Sequence, residues 1–242
     1  MKLIKLDAID STNDFLKSLA NEQTTQNFTV VTAENQTKGK GQMGSEWVSE
    51  VGKNLIMSVL VKDFLLETNA LFSLNIAVSM AVIHALEEFK IPKLSIKWPN
   101  DILSDTKKIG GILIENSLKS DSSIISIVGL GLNVNQTNFD NLPKASSLAI
   151  VCNSQFDKEQ ILYQILDQIE KNILFWNQRG ILLRKEYIER LFKIGIPMPF
   201  QDVNQINFMG IIQGISTNGK LEILLEDDSV KEFDIKEIQM LY

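Results

Sequence analysis

Apolar and polar positions change period several times along this chain. Residues 1 to 10 alternate, as a short strand does. Ser11-Thr12-Asn13-Asp14 then supplies capping side chains before Phe15, Leu16, Leu19 and Ala20, which share one helix face. Phe28 to Ala33 is a β-rich run, and Leu55 to Val61 reads as another strand. Residues 70 to 89 are apolar almost all round, the pattern of a central helix covered by a sheet. Leu94 to Trp98, Lys108 to Asn116 and Ser123 to Asn133 are three further strand candidates. Asp157 to Trp176 is amphipathic at helical spacing, and Leu182 to Lys193 predicts a second helix.

Near Gly195 the character changes. From there to Tyr242 short alternating runs are separated by turn signals: Pro197, Pro199, Asn218-Gly219 and Asp227-Asp228. Asn-Gly between apolar runs is a strong hairpin signal. The expected fold class is α+β, with a mixed domain over residues 1–194 and a small β-barrel over 195–242. About 45 residues bury too little surface to be secure alone, so the barrel is expected to dock on the larger domain.

Composition narrows the chemistry. The chain has 242 residues, one cysteine (Cys152) and one histidine (His84). That excludes an intramolecular disulfide, a Cys-based zinc site and multi-His metal sites. Cys152 has no basic sequence neighbours and reads as an inert small hydrophobe, and His84 as a packed or hydrogen-bonded core histidine. Lys+Arg number 24 against Asp+Glu 30, a net charge of -6, which argues against a general nucleic-acid binder. The start, MKLIKLDAIDSTND, lacks the apolar core of a signal peptide. The stretch Leu71 to Leu86 is shorter than a membrane span and carries Ser73, Asn75, Ser79 and His84. The expectation is a soluble cytoplasmic protein with no membrane partner.

Three segments stand out. Gly39-Lys40-Gly41-Gln42-Met43-Gly44 matches G-x-G-x-x-G, but it leads towards a strand, not into a helix, so the dinucleotide-binding reading fails. A glycine-rich loop between strands still lets backbone N–H groups approach an anion, and Lys38 and Lys40 make it locally basic; an ordinary solvated loop is the alternative. Lys97-Trp98-Pro99-Asn100-Asp101 precedes Lys107-Lys108-Ile109-Gly110-Gly111, where alternation lets only one lysine point inward. A lysine there is a point charge suited to a phosphate, against the plain alternative of an exposed hairpin. In Val128-Gly129-Leu130-Gly131-Leu132-Asn133, two glycines inside an apolar strand signal a bulge or the close approach of another group. Trp47, after the loop, is either core or a lid.

In this order the segments resemble the biotin protein ligase family. The resemblance runs from Asp10 to about Asn135 and includes Ser11-Thr12-Asn13 and Thr32-Ala33-Glu34-Asn35-Gln36. It implies a catalytic domain similar to class II aminoacyl-tRNA synthetases, a mixed sheet with flanking helices, and an SH3-like C-terminal barrel. It implies activation of biotin with MgATP to biotinyl-5′-AMP, then transfer to a lysine of a biotin carboxyl-carrier domain. By resemblance, Ser11, Thr12, Asn13 and Gln36 border the biotin ring, and Gly39, Lys40, Gly41 and Gln42 form the loop closing over biotin and the adenylate. Trp47 and Asn133 flank the adenylate, and Lys108, with Lys40, supplies catalytic charge. Asn100 and Asp101 face the triphosphate, with Asp101 towards Mg²⁺, and Gly111, Ile112, Gly129 and Gly131 make the pocket floor. Biotin, ATP and Mg²⁺ are the expected ligands, without zinc, haem or disulfide. An exposed sheet edge is available for a homodimer or for the acceptor.

Two departures from the family pattern matter. Its loop has the form Gly-Arg-Gly-Arg-x-Gly-Arg, whereas here Lys40, Gln42 and Ser45 stand at the arginine positions. Lysine loses the bidentate fork and glutamine loses the charge, so a looser hold on the adenylate is expected. Some members also carry an N-terminal helix-turn-helix, and this sequence enters the catalytic pattern almost at Met1, which predicts a ligase without DNA binding. A lipoate or octanoate ligase of related fold is the competing enzyme, and a biotin or adenylate sensor without turnover is the competing binding protein.

Overall fold

The computed structural model describes residues 1–22, 25–62, 64, 71–119, 123–140 and 142–242. Strand β1 (Lys2–Ile9) leads through helix α1 (Thr12–Leu19) to β2 (Thr29–Gln36). Strand β3 (Leu55–Lys62) and helix α2 (Leu71–Glu88) follow, then β4 (Leu94–Lys97), β5 (Asp101–Ser104), β6 (Lys107–Leu118) and β7 (Ile124–Leu132). The seven strands make one sheet in the order β1-β2-β3-β7-β6-β5-β4. Only β1 and β2 are parallel, because α1 supplies the crossover a parallel pair needs.

Alternation divides this sheet into two faces. Leu55, Met57 and Val59 of β3 and Val128, Leu130 and Leu132 of β7 share the main core with α2. Helices α4 (Lys158–Leu174) and α5 (Trp176–Glu189) cover α2 in turn. By length and composition α2 is apolar enough to cross a membrane, but here it is a core helix, as its all-round pattern predicts. On the opposite face Leu16 and Ala20 of α1 pack on Val31, Leu60 and Ile127. That small cluster covers only part of the face. The uncovered part includes Gly111 opposite Gly131 and Leu113 opposite Gly129, so three of four cross-strand positions carry no side chain.

Residues from Pro197 onward form a second sheet: β8 (Pro197–Asp202), β9 (Asn207–Ile215), β10 (Leu221–Leu225), β11 (Val230–Phe233) and β12 (Ile238–Met240). Its order is β11-β10-β9-β8-β12, all antiparallel and open, with no ladder joining β11 to β12 among the described residues. The Asn218-Gly219 signal falls at the β9–β10 turn, where Gly219 has φ 83. Gly219 O accepts a 2.9 Å hydrogen bond from the indole of Trp98, tying the second sheet to the first.

Three elements differ from the pattern read along the sequence. Asp101–Ser104 is a strand, and Leu148–Cys152 is a short helix α3 capped by Ser147 and closed by Asn153 in the left-handed region. Helix α5 begins at Trp176, not near 182; its apolar stripe is broken because Ile181 and Leu182 face solvent. His84 is a hydrogen-bonded, partly buried helix residue, as one of its two expected settings has it, with Nε2 3.1 Å from Glu186 Oε2.

Candidate functional site

A cavity of about 280 Å³ lies over the glycine-bearing part of the sheet. It is lined by Ser11, Thr12, Asn13, Gln36, Lys40, Gly41, Gln42, Trp47, Asn100, Asp101, Lys108, Gly111, Ile112, Gly129 and Gly131. Of the residues singled out from the sequence, two lie elsewhere. Gly39 lines an adjoining cavity of about 690 Å³ on the outer side of the loop. Asn133 lines neither; its Nδ2 donates to Ser146 O and its N–H to Ile109 O, so it ties the end of β7 to β6 and to the segment before α3.

One end of the cavity is a polar network at the start of α1. Ser11 caps the helix, its Oγ accepting the Asp14 N–H at 3.3 Å. Gln36 Oε1 accepts from both the N–H (2.7 Å) and the hydroxyl (2.9 Å) of Thr12. Ser58 Oγ lies 2.8 Å from Thr12 Oγ1 and 2.6 Å from Asn13 Oδ1, and Asn13 Nδ2 donates to Glu115 at 2.8 Å. These buried groups are mutually satisfied, which fixes their orientation towards the cavity. A Cβ at Gly129 would overlap the Asn13 amide, so this glycine makes room for the network. The β7 glycines are sites of close approach; the β6–β7 register runs through them unbroken, without a bulge.

At the other end Lys108 Nζ lies 2.6 Å from Asp101 Oδ1, and Lys97 Nζ lies 3.7 Å from Asp101 Oδ2. Lys107 points away, its ammonium donating to Pro143 O. A register shift in the β5–β6 pairing explains the choice: Ile102 pairs with Gly110 but Leu103 with Lys108, leaving Ile109 as the extra residue. Ile109 turns into the α2 core, and Lys108 joins Gly111 on the cavity side. Without the extra residue, strict alternation from Gly111 would bring Ile109 and Lys107 to the cavity. The Lys97–Asp101 segment is firmly held. Pro99 O accepts from Asn75 (2.7 Å) and from the Tyr187 hydroxyl (3.2 Å), and Asn100 Nδ2 donates to Ile112 O at 2.6 Å. Burial pushes the Tyr187 phenol upward, so it stays a donor.

The roof is the glycine loop, ordered as a self-bonded hairpin. Trp47 N–H donates to Gly39 O (3.0 Å) and Gly41 N–H to Ser45 O (2.7 Å), around a 3-10 turn over Gln42–Gly44. The Trp47 indole lies on Gly131, and Lys108 Nζ is 5.8 Å from its ring centre. Its Nε1 is buried without a hydrogen-bond partner among the described residues. Lys40 reaches back to Asp14 at 2.7 Å, which raises its pKa. Lys38 pairs with Asp10 at 2.8 Å.

The Biotin/lipoate A/B protein ligase family model matches residues 6–133, more than half of the chain and all of this cavity floor. The chain belongs to that family. It is 32% identical over 248 aligned residues to the bifunctional ligase/repressor BirA of Bacillus spizizenii, covering 98% of this chain and 74% of the relative. It is 29% identical to the biotin–[acetyl-CoA-carboxylase] ligase of Mycobacterium tuberculosis, covering 79% and 71%. Among solved structures it resembles the biotin protein ligase of Aquifex aeolicus in complex with biotin and ATP, with TM-score 0.81 and 27% identity over 99% of this chain and 98% of that one.

Family membership directs attention to residues that sequence reading left out of the site. Lys97 lines the cavity and shares Asp101; its place at the head of the Lys-Trp-Pro-Asn-Asp block was the available signal. Ser58 is a fully buried hydroxyl on an otherwise apolar strand, a signal visible in the sequence but without a partner there. Asp14 and Glu115 meet the site only through tertiary contacts.

Proposed function

We propose that this protein activates biotin with ATP to biotinyl-5′-AMP and then transfers biotin to a lysine of a biotin carboxyl-carrier domain. The observation that carries the reading is the Lys108–Asp101 pair at the edge of a glycine floor, in a member of the biotin/lipoate ligase family. In the first step a biotin carboxylate oxygen bonds to the α-phosphorus, the bond to the bridging oxygen breaks, and pyrophosphate leaves with the electron pair. No proton moves and no side-chain nucleophile is required. Two anions must be held in contact, so positioning and charge neutralisation are the main needs. Lys108 exchanges Asp101 for the reacting oxygens, and Lys40 leaves Asp14 as the loop closes. In the second step the acceptor amine bonds to the acyl carbon, AMP leaves, and the amine gives up a proton.

In this reading Ser11, Thr12, Asn13 and Gln36 hold the biotin ring, with Gly111, Ile112, Gly129 and Gly131 beneath it. Trp47 separates biotin from nucleotide, and Asn100 and Asp101 face the triphosphate. Mg²⁺ fits as an ion carried on the phosphates, where it neutralises their charge. Among the described residues no group of three or more His, Cys, Asp or Glu side chains could hold an ion unaided, and Asp101 is the one carboxylate at that end of the cavity. The same reading takes 1–194 as a class II synthetase-like domain, 195–242 as an SH3-like one, and the cytoplasm as the compartment. It leaves the β1 edge for pairing with the acceptor or a second copy.

The test is pyrophosphate release from MgATP in the presence of biotin, with lipoate and Lys108→Ala as controls. Biotin-dependent release lost in Lys108→Ala is the expected result. Release triggered by lipoate alone, or biotin binding without any release, overturns the proposal.

A further inference from the structure

Tyr242, the last residue of the sequence, sits beside the charged end of the cavity although it lies 134 positions from Lys108. Its ring packs edge-on against Phe192, with centroids 4.9 Å apart. Lys144 Nζ lies 4.2 Å from the Tyr242 ring centre and Lys97 Nζ lies 5.5 Å from it. Both distances are within the range of a cation–π contact. Burial raises the phenol pKa, and the Asp101 charge raises it further.

The two lysines connect to the reacting end by separate routes. Lys97 shares Asp101 with Lys108. Lys144 reaches Lys108 through the main chain: the Lys108 N–H donates to Lys144 O at 2.7 Å, and Ala145 pairs with Lys108 as a parallel bridge. Two ammonium groups thus share one carboxylate, and Lys144, which makes no ion pair among the described residues, brings a third to the Tyr242 ring. A surplus of positive charge at this spot, in a chain of net charge -6, is complementary to a polyphosphate. The aromatic face holds two cations near each other without neutralising either, which a carboxylate in its place would do.

We propose that Tyr242 is a positioning residue for the polyphosphate end of the nucleotide, its ring fixing Lys97 and Lys144 as the cations that receive it. This rests on the ligase reading above. The competing role is structural only, a ring that seals Phe192 against solvent.

The experiment measures KM for ATP and for biotin, kcat, and melting temperature in the full-length protein. Loss of a cation–π platform predicts a rise of about 5–10-fold in KM for ATP in Tyr242→Leu, with KM for biotin unchanged. Tyr242→Phe, which keeps the ring, is expected to restore the wild-type value. Lys144→Gln alters an exposed side chain without touching the Phe192 packing, and is expected to raise KM for ATP severalfold. It therefore decides the matter even where Tyr242→Leu is too unstable to assay. Equal KM for ATP in wild type and Lys144→Gln, or parallel changes in both substrates with a lowered melting temperature, overturns the positioning role. A wild type that releases no pyrophosphate overturns the ligase reading itself and this inference with it.

Discussion

The indole of Trp47 rests on the backbone of Gly131, in the space a Cβ at that residue would fill. The roof of the cavity therefore meets its floor at residues without side chains, since the same ring also lies 3.5 Å from where a Cβ at Gly111 would stand. Trp47 also stands beside Lys108, so the same contact borders the biotin and nucleotide ends of the proposed site.

Gly131→Ala is expected to lift Trp47 from the floor. The added methyl meets a ring and not a flexible chain end, so relief by small adjustment is unavailable. Biotin affinity is expected to fall at least about tenfold, or ~1.4 kcal/mol, while overpacking costs about 1–3 kcal/mol of stability. Calorimetric titration with biotin beside a melting curve checks both. Unchanged affinity would show that the Trp47–Gly131 contact does not shape the site.

Lys107 and Lys108 are adjacent and chemically identical, yet only Lys108 faces Asp101. Lys108→Ala is expected to lower the rate of biotin-dependent pyrophosphate release by roughly 10²–10³, the usual cost of losing one preorganised charge-stabilising donor. Lys107→Ala is expected to leave it unchanged. Single-turnover kinetics on both variants is the measurement, and similar losses in the two would remove the basis for assigning the charge to Lys108.

The loop carries Lys40 and Gln42 where the family pattern has arginine, and Lys40 is held by Asp14. Escape of biotinyl-AMP is therefore expected, read as biotin on lysines of a bystander protein such as serum albumin. Restoring the fork with Lys40→Arg and Gln42→Arg together is expected to cut that labelling by about tenfold, the effect of ~1.4 kcal/mol of added retention. Equal labelling before and after would show that retention has another source.

The base of the loop is anchored by Asp10, whose pKa is lowered first by the Lys38 hydrogen bond and then by Thr37, while Lys38 is raised by Asp10. The sign follows from each group. The contribution of Asp10 is present above its ordinary value of 3.8 and is lost as pH falls through the lowered one; that of Lys38 is fully present below 10.5 and is lost as pH rises through the raised value. The anchor thus spans the neutral range unchanged. The Thr37 and Lys38 amide chemical shifts are expected to stay flat from about pH 5 to 9, moving below the ordinary aspartate range and again only above the ordinary lysine range. An inflection between those two ranges contradicts the pairing.

Much of this site is legible in the sequence because its parts are backbone demands. Gly129, Gly131 and the loop glycines report close approach whatever approaches, and Ser11 reports a helix start. What approaches is not legible: that Asn13 fills the space above Gly129, and Trp47 the space above Gly131, depends on α1 and the loop folding over the same sheet face. Asp14, Glu115, Lys144 and Tyr242 escape for the same reason, since their partners Lys40, Asn13, Tyr242 and Lys97 lie 26, 102, 98 and 145 residues away. Strand β5 escapes because four residues after a turn carry too little periodicity to declare themselves.

The extra residue at Ile109 makes the spacing between Asp101 and Lys108 a matter of counting. A strand with the same letters but paired with β5 residue for residue would exchange inside for outside: the Lys108 ammonium would be driven into hydrocarbon and an isoleucine offered to the nucleotide. Every letter of the motif would survive that change of pairing and the chemistry would still be gone.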